Sequence, residues 1–436
     1  MRKVFSFLSV FIFLGCHQTS EIPELSNAEI GKVIREMTDL MIHDITSPPL
    51  AARFFSYACL AGYEVVAEND NHFKTMRDVI NAYPDIKKPD SVQGYSYQLS
   101  TVLAMLQTAE KMQPSGKLLI AYENSFLDGC RAKGFAEETI FQSQKYASVI
   151  SKQILAYAKN DGYNKISNKA RYTPLQNEGH WYPTPPAYLP AVEPYFNTIR
   201  LFFLDSANQF PAPPPVPFAK EKNSLFYKLA YQNYKQAPDS LSMEHRHIAL
   251  YWDCNPFAVQ DEGHLLVGLK KISPGAHWLG ITDIVCRQTK QSFGETMLIH
   301  TLVAAGLMDS FVACWDEKYR SNRIRPETAV RELIDVHWKP LLQTPPFPEY
   351  LSGHSCISAT SAVILSHYIG DNISFVDSSE ERFGLPKRKF KSFNQAANEA
   401  AVSRFYGGIH FTDAIEQGMI QGRKVGNWIV NKMKRN

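Results

Sequence analysis

Apolar residues recur at helical spacing over most of the chain. Between Asn27 and about Lys169 they fall at Ile30, Val33, Ile34, Met37, Leu40 and Met41, and again at Leu99, Leu103, Leu106 and Met112. Steps of three and four residues line one face of an α-helix, so this half is predicted to be a series of amphipathic helices. The pattern resumes after Asn223. It is strongest from Phe293 to about Tyr319, where Met297, Ile299, Val303, Leu307, Phe311 and Trp315 form a stripe, and Pro326 limits its continuation. Ser352-Gly353-His354 precedes Ile357, Ala362, Val363 and Leu365, which puts Ser352 where a helix N-cap belongs. A last helical pattern runs from Asn394 to Met433, broken at Gly407-Gly408.

Between these halves, ten prolines fall from Pro183 to Pro217. Such a segment cannot be a helix interior or a central strand, and is predicted to run extended over the surface as a wrapping arm. Alternating strand patterns are few and no short repeat is present. The expected fold class is all-α, a large helical bundle body with an extended proline-rich arm. Residues 27–170 would be the N-terminal helical half, 171–222 the arm and 223–436 the second helical half, all in one compact domain.

Composition refines this picture only at the ends. The 436 residues are 44% hydrophobic and 20% charged, as in ordinary folded proteins. The 46 basic and 43 acidic residues are dispersed, giving a net charge of +3 without the basic block that nucleic-acid binding needs. Residues 1–16 read as an export signal: Arg2-Lys3, an apolar run from Val4 to Leu14, then Gly15-Cys16. Phe13-Leu14-Gly15-Cys16 resembles a bacterial lipobox, which implies lipidation of Cys16 and a tether over residues 17–26. No other apolar run is expected to reach the roughly 18 residues of a membrane span. The expected location is outside the cytoplasm, with the membrane met only through the lipid anchor. The six later cysteines are widely spaced and could be paired or buried as free thiols.

The chemistry lies in three separated pieces: Lys318 with Arg325-Pro326, then Ser352-Gly353-His354, then Ser403-Arg404 with His410. A tetrahedral oxyanion carries several acceptor oxygens and more than one negative charge, so a tight pocket needs several cations and fixed donors. Lys318, Arg325 and Arg404 supply charge. Lys318 and Arg325 are two turns apart and would share a helix face if one helix carried both. Ser352 and the Gly353 amide add neutral donors at a helix N-terminus. His354 and His410 offer an acid–base group and a ligand to the central atom. Taken singly, each of these residues has an ordinary structural role; the ordered set points to an anion site.

These three pieces resemble the motifs shared by vanadium haloperoxidases and the related acid and lipid phosphatases. The similarity to bacterial vanadium-haloperoxidase-like proteins extends to Asn177-Glu178-Gly179-His180-Trp181, Pro274-Gly275-Ala276-His277-Trp278, Met308-Asp309-Ser310 and Pro345-Pro346-Phe347-Pro348-Glu349-Tyr350. The resemblance implies vanadate as cofactor, with His410 bonded to vanadium and Lys318, Arg325, Ser352, Gly353 and Arg404 holding its oxygens. It further implies that His354 moves the protons of hydrogen peroxide and that Lys318 polarises a peroxide oxygen. The partners would be hydrogen peroxide, a halide and a small organic substrate; a homodimer is expected by family analogy.

Phe347 stands where similar chloroperoxidases carry an aromatic near the halide, or else packs the core. Two departures are present. Leu351 replaces the usual proline before Ser-Gly-His, and Asp413 stands three residues after His410 where an acidic residue four after it is common. Asp413 is the expected partner of the second His410 ring nitrogen. His180 and His277 are assigned either to bracing or to substrate, and the His245 and His247 pair is not read as a metal site. The competing readings are a phosphomonoesterase, with His410 as nucleophile and His354 as leaving-group acid, and a non-catalytic lipoprotein.

Overall fold

The computed structural model describes residues 22–89, 91–261 and 265–434. The export signal and Cys16 lie outside them. Among the described residues there are thirteen α-helices and two small hairpins. The helices are α1 (Ala28–His43), α2 (Pro48–Asn69), α3 (Tyr97–Met112), α4 (Leu119–Ala132), α5 (Glu137–Lys159), α6 (Leu225–Tyr234), α7 (Met243–Tyr251), α8 (Pro274–Gln288), α9 (Phe293–Ser321), α10 (Pro326–Leu333), α11 (Gly353–Tyr368), α12 (Phe393–Tyr406) and α13 (Thr412–Lys434). The hairpins pair β1 (Val259–Asp261) with β2 (Leu266–Gly268) and β3 (Phe375–Asp377) with β4 (Arg388–Phe390), both antiparallel.

Helix α9 is the axle of the body. Its N-terminus is fixed by a capping box in which Ser292 and Glu295 satisfy each other's backbone N–H groups. It packs against α2, α8, α11 and α13. By length and composition it could cross a membrane, but 94% of its most apolar window is buried by the rest of the protein. That corrects the expectation that no apolar stretch after the signal is long enough. A helix surrounded by other helices is apolar all round, and α2, buried over most of its length, departs from simple amphipathicity for the same reason.

Helix α9 ends at Asn322, whose φ of 51° puts it in the left-handed region that closes helices. Arg325 is therefore not on the helix that carries Lys318. It is the N-cap residue of α10, delivered by a turn of chain. The shared helix face expected for the two cations does not exist; tertiary folding brings them together.

Helix α11 lies on α13 with almost no gap. A Cβ added to Gly422 would stand 2.1 Å from the Cys356 carbonyl oxygen, and one at Gly418 would stand 2.9 Å from the Ser352 carbonyl oxygen. With Gly426, these glycines form a groove into which α11 sinks.

The arm holds no α-helix, as its prolines require, and runs as extended chain between several turns and one short 3-10 segment at Phe196–Thr198. It does more than cover the surface. Trp181, Phe196, Phe202, Phe203 and Leu204 are buried. The carboxylate of Asp309 on α9 accepts the backbone N–H groups of Phe202, Phe203 and Leu204 at 2.8, 2.7 and 2.9 Å. Further along, the Val192 N–H donates to the Pro346 carbonyl at 3.0 Å and the Tyr350 hydroxyl to the Pro213 carbonyl at 2.6 Å. The arm thus clamps the loop between α10 and α11. All six cysteines of the described residues are buried and free, which settles the choice left open by their spacing.

Candidate functional site

The three sequence pieces meet at one place. Gly353, His354, Arg404 and His410 line a narrow cavity together with Phe347, Trp315, Phe311, Phe257 and Cys254. Lys318, Arg325 and Ser352 are fully buried around the same residues.

His410 is held at both ring nitrogens. Its Nδ1 lies 2.8 Å from Glu349 Oε1, and its Nε2 lies 3.1 Å from Arg325 Nη1. A carboxylate can only accept, so Nδ1 carries the hydrogen and Nε2 keeps its lone pair. Burial, and then the charges of Arg325, Lys318 and Arg404, push the imidazole well below its usual range. A neutral ring with a fixed lone pair is what a ligating histidine requires.

Asp413 does not make this contact. Its two oxygens take a bidentate pair from Arg323, at 2.6 and 2.8 Å. Arg323 in turn donates through Nε to Glu349 Oε2 at 2.7 Å. The expected direct role of Asp413 is therefore corrected: it stands two links behind His410, in the chain Asp413, Arg323, Glu349, His410. A residue three positions after His410, in the first turn of α13, points away from the ring and towards the α9–α10 turn that carries Arg323. Sequence reasoning missed both Glu349 and Arg323. Glu349 lay in one of the family-like stretches, but nothing local to Pro-Glu-Tyr tells that its side chain crosses to another segment.

The cations are buried to different ends. Lys318 donates to the carbonyl oxygens of Pro348 and Glu349, each at 2.9 Å, and to that of Leu351. It is the post on which the loop before Ser352 is hung, and burial pushes its ammonium down to about 7. Arg325 donates to the carbonyls of Phe347 and Ile409, both at 2.9 Å, and burial pushes it down to about 9. Arg404 gives one Nη1 hydrogen to the Trp252 carbonyl at 2.6 Å, and burial lowers it as well. His354 is lowered well below its usual range by burial, then by Arg404 and His410, and its ring has a backbone hydrogen bond to Trp252.

Three buried polar atoms in this group have no partner: Arg325 Nη2, Arg404 Nε and His354 Nε2. The two arginine atoms are donors, which are costly when buried and unsatisfied, so they call for a ligand rich in acceptors, while the neutral His354 leaves Nε2 as an open acceptor beside them. Ser352 adds to it. Its Oγ accepts from the Ser355 amide at 3.3 Å and from the Ser355 hydroxyl at 2.9 Å, so its own hydrogen remains available. The N-terminus of α11, with the Gly353 amide, contributes its positive end. These groups fit vanadate in charge, donor count and the presence of a neutral imidazole ligand.

Phe347 packs in the core and also reaches the cavity. Its ring is 4.9 Å from that of Trp315, lies under Lys318 Nζ at 5.1 Å and Arg325 Cζ at 5.0 Å, and forms part of the cavity wall. The Trp315 indole N–H is committed to the Val192 carbonyl of the arm, so the wall it forms is apolar. His180 forms an isolated bridge with Arg323 and braces the arm. His245 stacks on Tyr406 at 3.9 Å, and no metal cluster among the described residues includes it or His247.

Fold and site together define an all-α protein with a buried pocket for a tetrahedral oxyanion. A family model described as the VCPO second helical-bundle domain matches residues 334–436. The structure is similar to that of a bacterial vanadium-dependent iodoperoxidase, with a TM-score of 0.88 and 40% identity, covering 94% of this chain and 97% of that one. It also shares the fold of bacterial vanadium-dependent chloroperoxidases in holo and apo forms. These have TM-scores of 0.64 and 0.63 at 15% and 14% identity, covering 96% and 89% of this chain and 94% of each of theirs. Among curated protein sequences none matches. The chain belongs to the vanadium-dependent haloperoxidase family.

Proposed function

We propose that this protein uses hydrogen peroxide to oxidise iodide, with vanadate bonded to His410, its oxygens held by Arg325, Ser352, Gly353 and Arg404, and its charge balanced by Lys318, whose three hydrogens are taken by the carbonyls of Pro348, Glu349 and Leu351. The observation that carries this reading is the His410 ring: Glu349 puts the hydrogen on Nδ1 and so leaves Nε2 as a lone pair, which faces Arg325 Nη1 among buried cations with unpartnered N–H groups. When bound, vanadate supplies a Lewis acid that activates peroxide without changing its own oxidation state.

The protein's own groups do the rest. His354 is kept neutral, and with one ring nitrogen engaged by Trp252 its unpartnered Nε2 accepts a proton from incoming peroxide. Lys318 and the two arginines stabilise negative charge that water cannot reach. Phe257, Phe311, Trp315 and Phe347 give the cavity an apolar wall, which suits a large, weakly hydrated halide. The relative at 40% identity is an iodoperoxidase, and iodide is the halide proposed for this chain on that ground. Hypoiodous acid leaving the cavity iodinates small organic compounds.

The test is to load the purified protein with orthovanadate, add peroxide with iodide, bromide or chloride, and run an aryl phosphate in parallel. Vanadate-dependent oxidation of iodide, with chloride inert, is expected. Hydrolysis of the phosphate ester without oxidation of any halide would replace this reading with the phosphatase one. Export with lipidation at Cys16 is proposed alongside. Mass analysis of the mature protein would show a diacylated Cys16 as first residue, and an unmodified or retained N-terminus would refute it.

A further inference from the structure

Beside the oxyanion cavity, three buried side chains from distant parts of the chain converge. Cys254 follows α7, His277 is in the first turn of α8, and Glu380 follows β3. Cys254 Sγ is 3.4 Å from His277 Nδ1, Glu380 Oε1 is 3.4 Å from the same nitrogen, and sulfur and oxygen are 3.8 Å apart. We propose that Cys254, His277 and Glu380 bind a divalent metal ion of the zinc class, a second inorganic site separate from the vanadate pocket.

The spacing is that of one face of a coordination tetrahedron. Zinc bonds of about 2.3 Å to sulfur and about 2.0–2.2 Å to nitrogen and oxygen, at tetrahedral angles, put the donors about 3.3–3.6 Å apart. The observed triangle needs only a slight contraction on its sulfur–oxygen side. A thiolate, an imidazole and a carboxylate form a donor set that favours zinc-like ions over magnesium or calcium.

The histidine is presented as ligating histidines are. Asp377 Oδ2 lies 2.7 Å from His277 Nε2, which keeps a hydrogen on that nitrogen and turns Nδ1 towards Cys254 and Glu380, so that loss of the Nδ1 proton leaves a lone pair facing them. Asp377 is itself fixed by the Ser379 amide at 2.9 Å. The Trp252 ring stacks on His277, with centroids 4.4 Å apart, and blocks rotation of the imidazole. Cys254 also borders the oxyanion cavity, which gives water a route to the fourth position.

Charge is conserved on binding. Without metal the cluster is satisfied by a thiol hydrogen and an imidazolium hydrogen between two carboxylates. A divalent ion replaces those two protons, so binding leaves the buried charge unchanged and releases them to solvent. Lys271 is nearby but is engaged by Asp253.

The metal would act on the main site through Trp252, two residues before Cys254. The Trp252 carbonyl holds Arg404 and the ring of His354. Tying Cys254 to α8 and to the β3 turn therefore fixes the carbonyl on which two oxyanion-site residues hang.

Cobalt(II) is the probe. Chelator-treated full-length protein titrated with cobalt should take up one equivalent, with the visible bands of a tetrahedral ion and a near-ultraviolet thiolate charge-transfer band, and zinc should displace it. Cys254→Ser should lose the charge-transfer band. Asp377→Asn, which spares all three ligands, should weaken cobalt binding about 10–100-fold. His410→Ala should leave the cobalt spectrum unchanged. No uptake by the wild-type protein, or the same spectrum in folded Cys254→Ser, would overturn the proposal and leave a hydrogen-bonded imidazolium cluster in its place. If Cys254→Ser does not fold, unchanged affinity in Asp377→Asn has the same force.

Discussion

At His410 the nitrogen that faces away from the cavity decides what the other one can do. Glu349 Oε1 takes its hydrogen and also accepts the Phe411 amide at 2.9 Å, so ring and backbone are set by one carboxylate. Replacing Glu349 with Gln keeps the shape but lets either tautomer form. Vanadate affinity is expected to fall about 10–100-fold, read by equilibrium dialysis, with Asp413→Asn having a smaller effect because it acts through Arg323. An unchanged dissociation constant in Glu349→Gln would show that the carboxylate does not orient the ring.

Lys318 gives a pH signature. Burial pushes its ammonium down to about 7 in the folded protein, from the ordinary lysine value of 10.5. The cost of burying the charge is fully felt below the folded value and is relieved as pH rises towards the unfolded one. A bound oxyanion offsets that cost. The rise in Tm on saturation with orthovanadate is therefore expected to be larger at about pH 6 than at about pH 9. Lys318→Met should flatten the difference; an equal gain at both pH values in the wild-type protein would contradict the assignment.

Among elements, the seam between α11 and α13 carries the most weight. Ser352, Gly353 and His354 open α11, and Gly418 and Gly422 let that end of the helix sit against α13. A methyl at Gly422 would meet backbone at 2.1 Å, which no rotamer change relieves. Gly422→Ala should cost about 1–3 kcal/mol or more in denaturant unfolding and displace the oxyanion donors, lowering vanadate affinity as well. By contrast, a Cβ at Gly353 would meet only the Trp315 and Phe311 rings, at 3.5 and 3.8 Å. Gly353→Ala should fold with nearly wild-type stability. A Gly422→Ala protein as stable as wild type would mean that the two helices can part without consequence.

For the molecule as a whole, one buried apolar cluster runs from Leu25 in the first half to Val430 in the last helix, and free cysteines lie within it. A chain of this length buries enough surface to do without covalent staples. Reducing agent should leave Tm unchanged, and Cys59, Cys130, Cys254, Cys286, Cys314 and Cys356 should react with a maleimide only after denaturation. A drop in Tm on reduction would reveal a disulfide that the structure does not contain.

Helical periodicity in the sequence was enough to place α9, α11, α12 and α13, because a buried face imposes a repeat that can be read locally. The prolines were enough to forbid helix in the arm, because their ring acts within a residue or two. Three ordered motifs were enough to select Lys318, Arg325, Ser352, Gly353, His354, Arg404 and His410 as one set. What each does to its neighbour was decided by tertiary folding. Lys318 and Arg325 are joined by a turn and not by a helix, and Glu349 holds His410 across 61 residues, a place assigned from the sequence to Asp413. Cys254, His277 and Glu380 carry no shared local signal at all. Periodicity and steric limits are properties of short segments, whereas a hydrogen bond or a ligand triangle depends on where distant segments stop, and only the packed core fixes that.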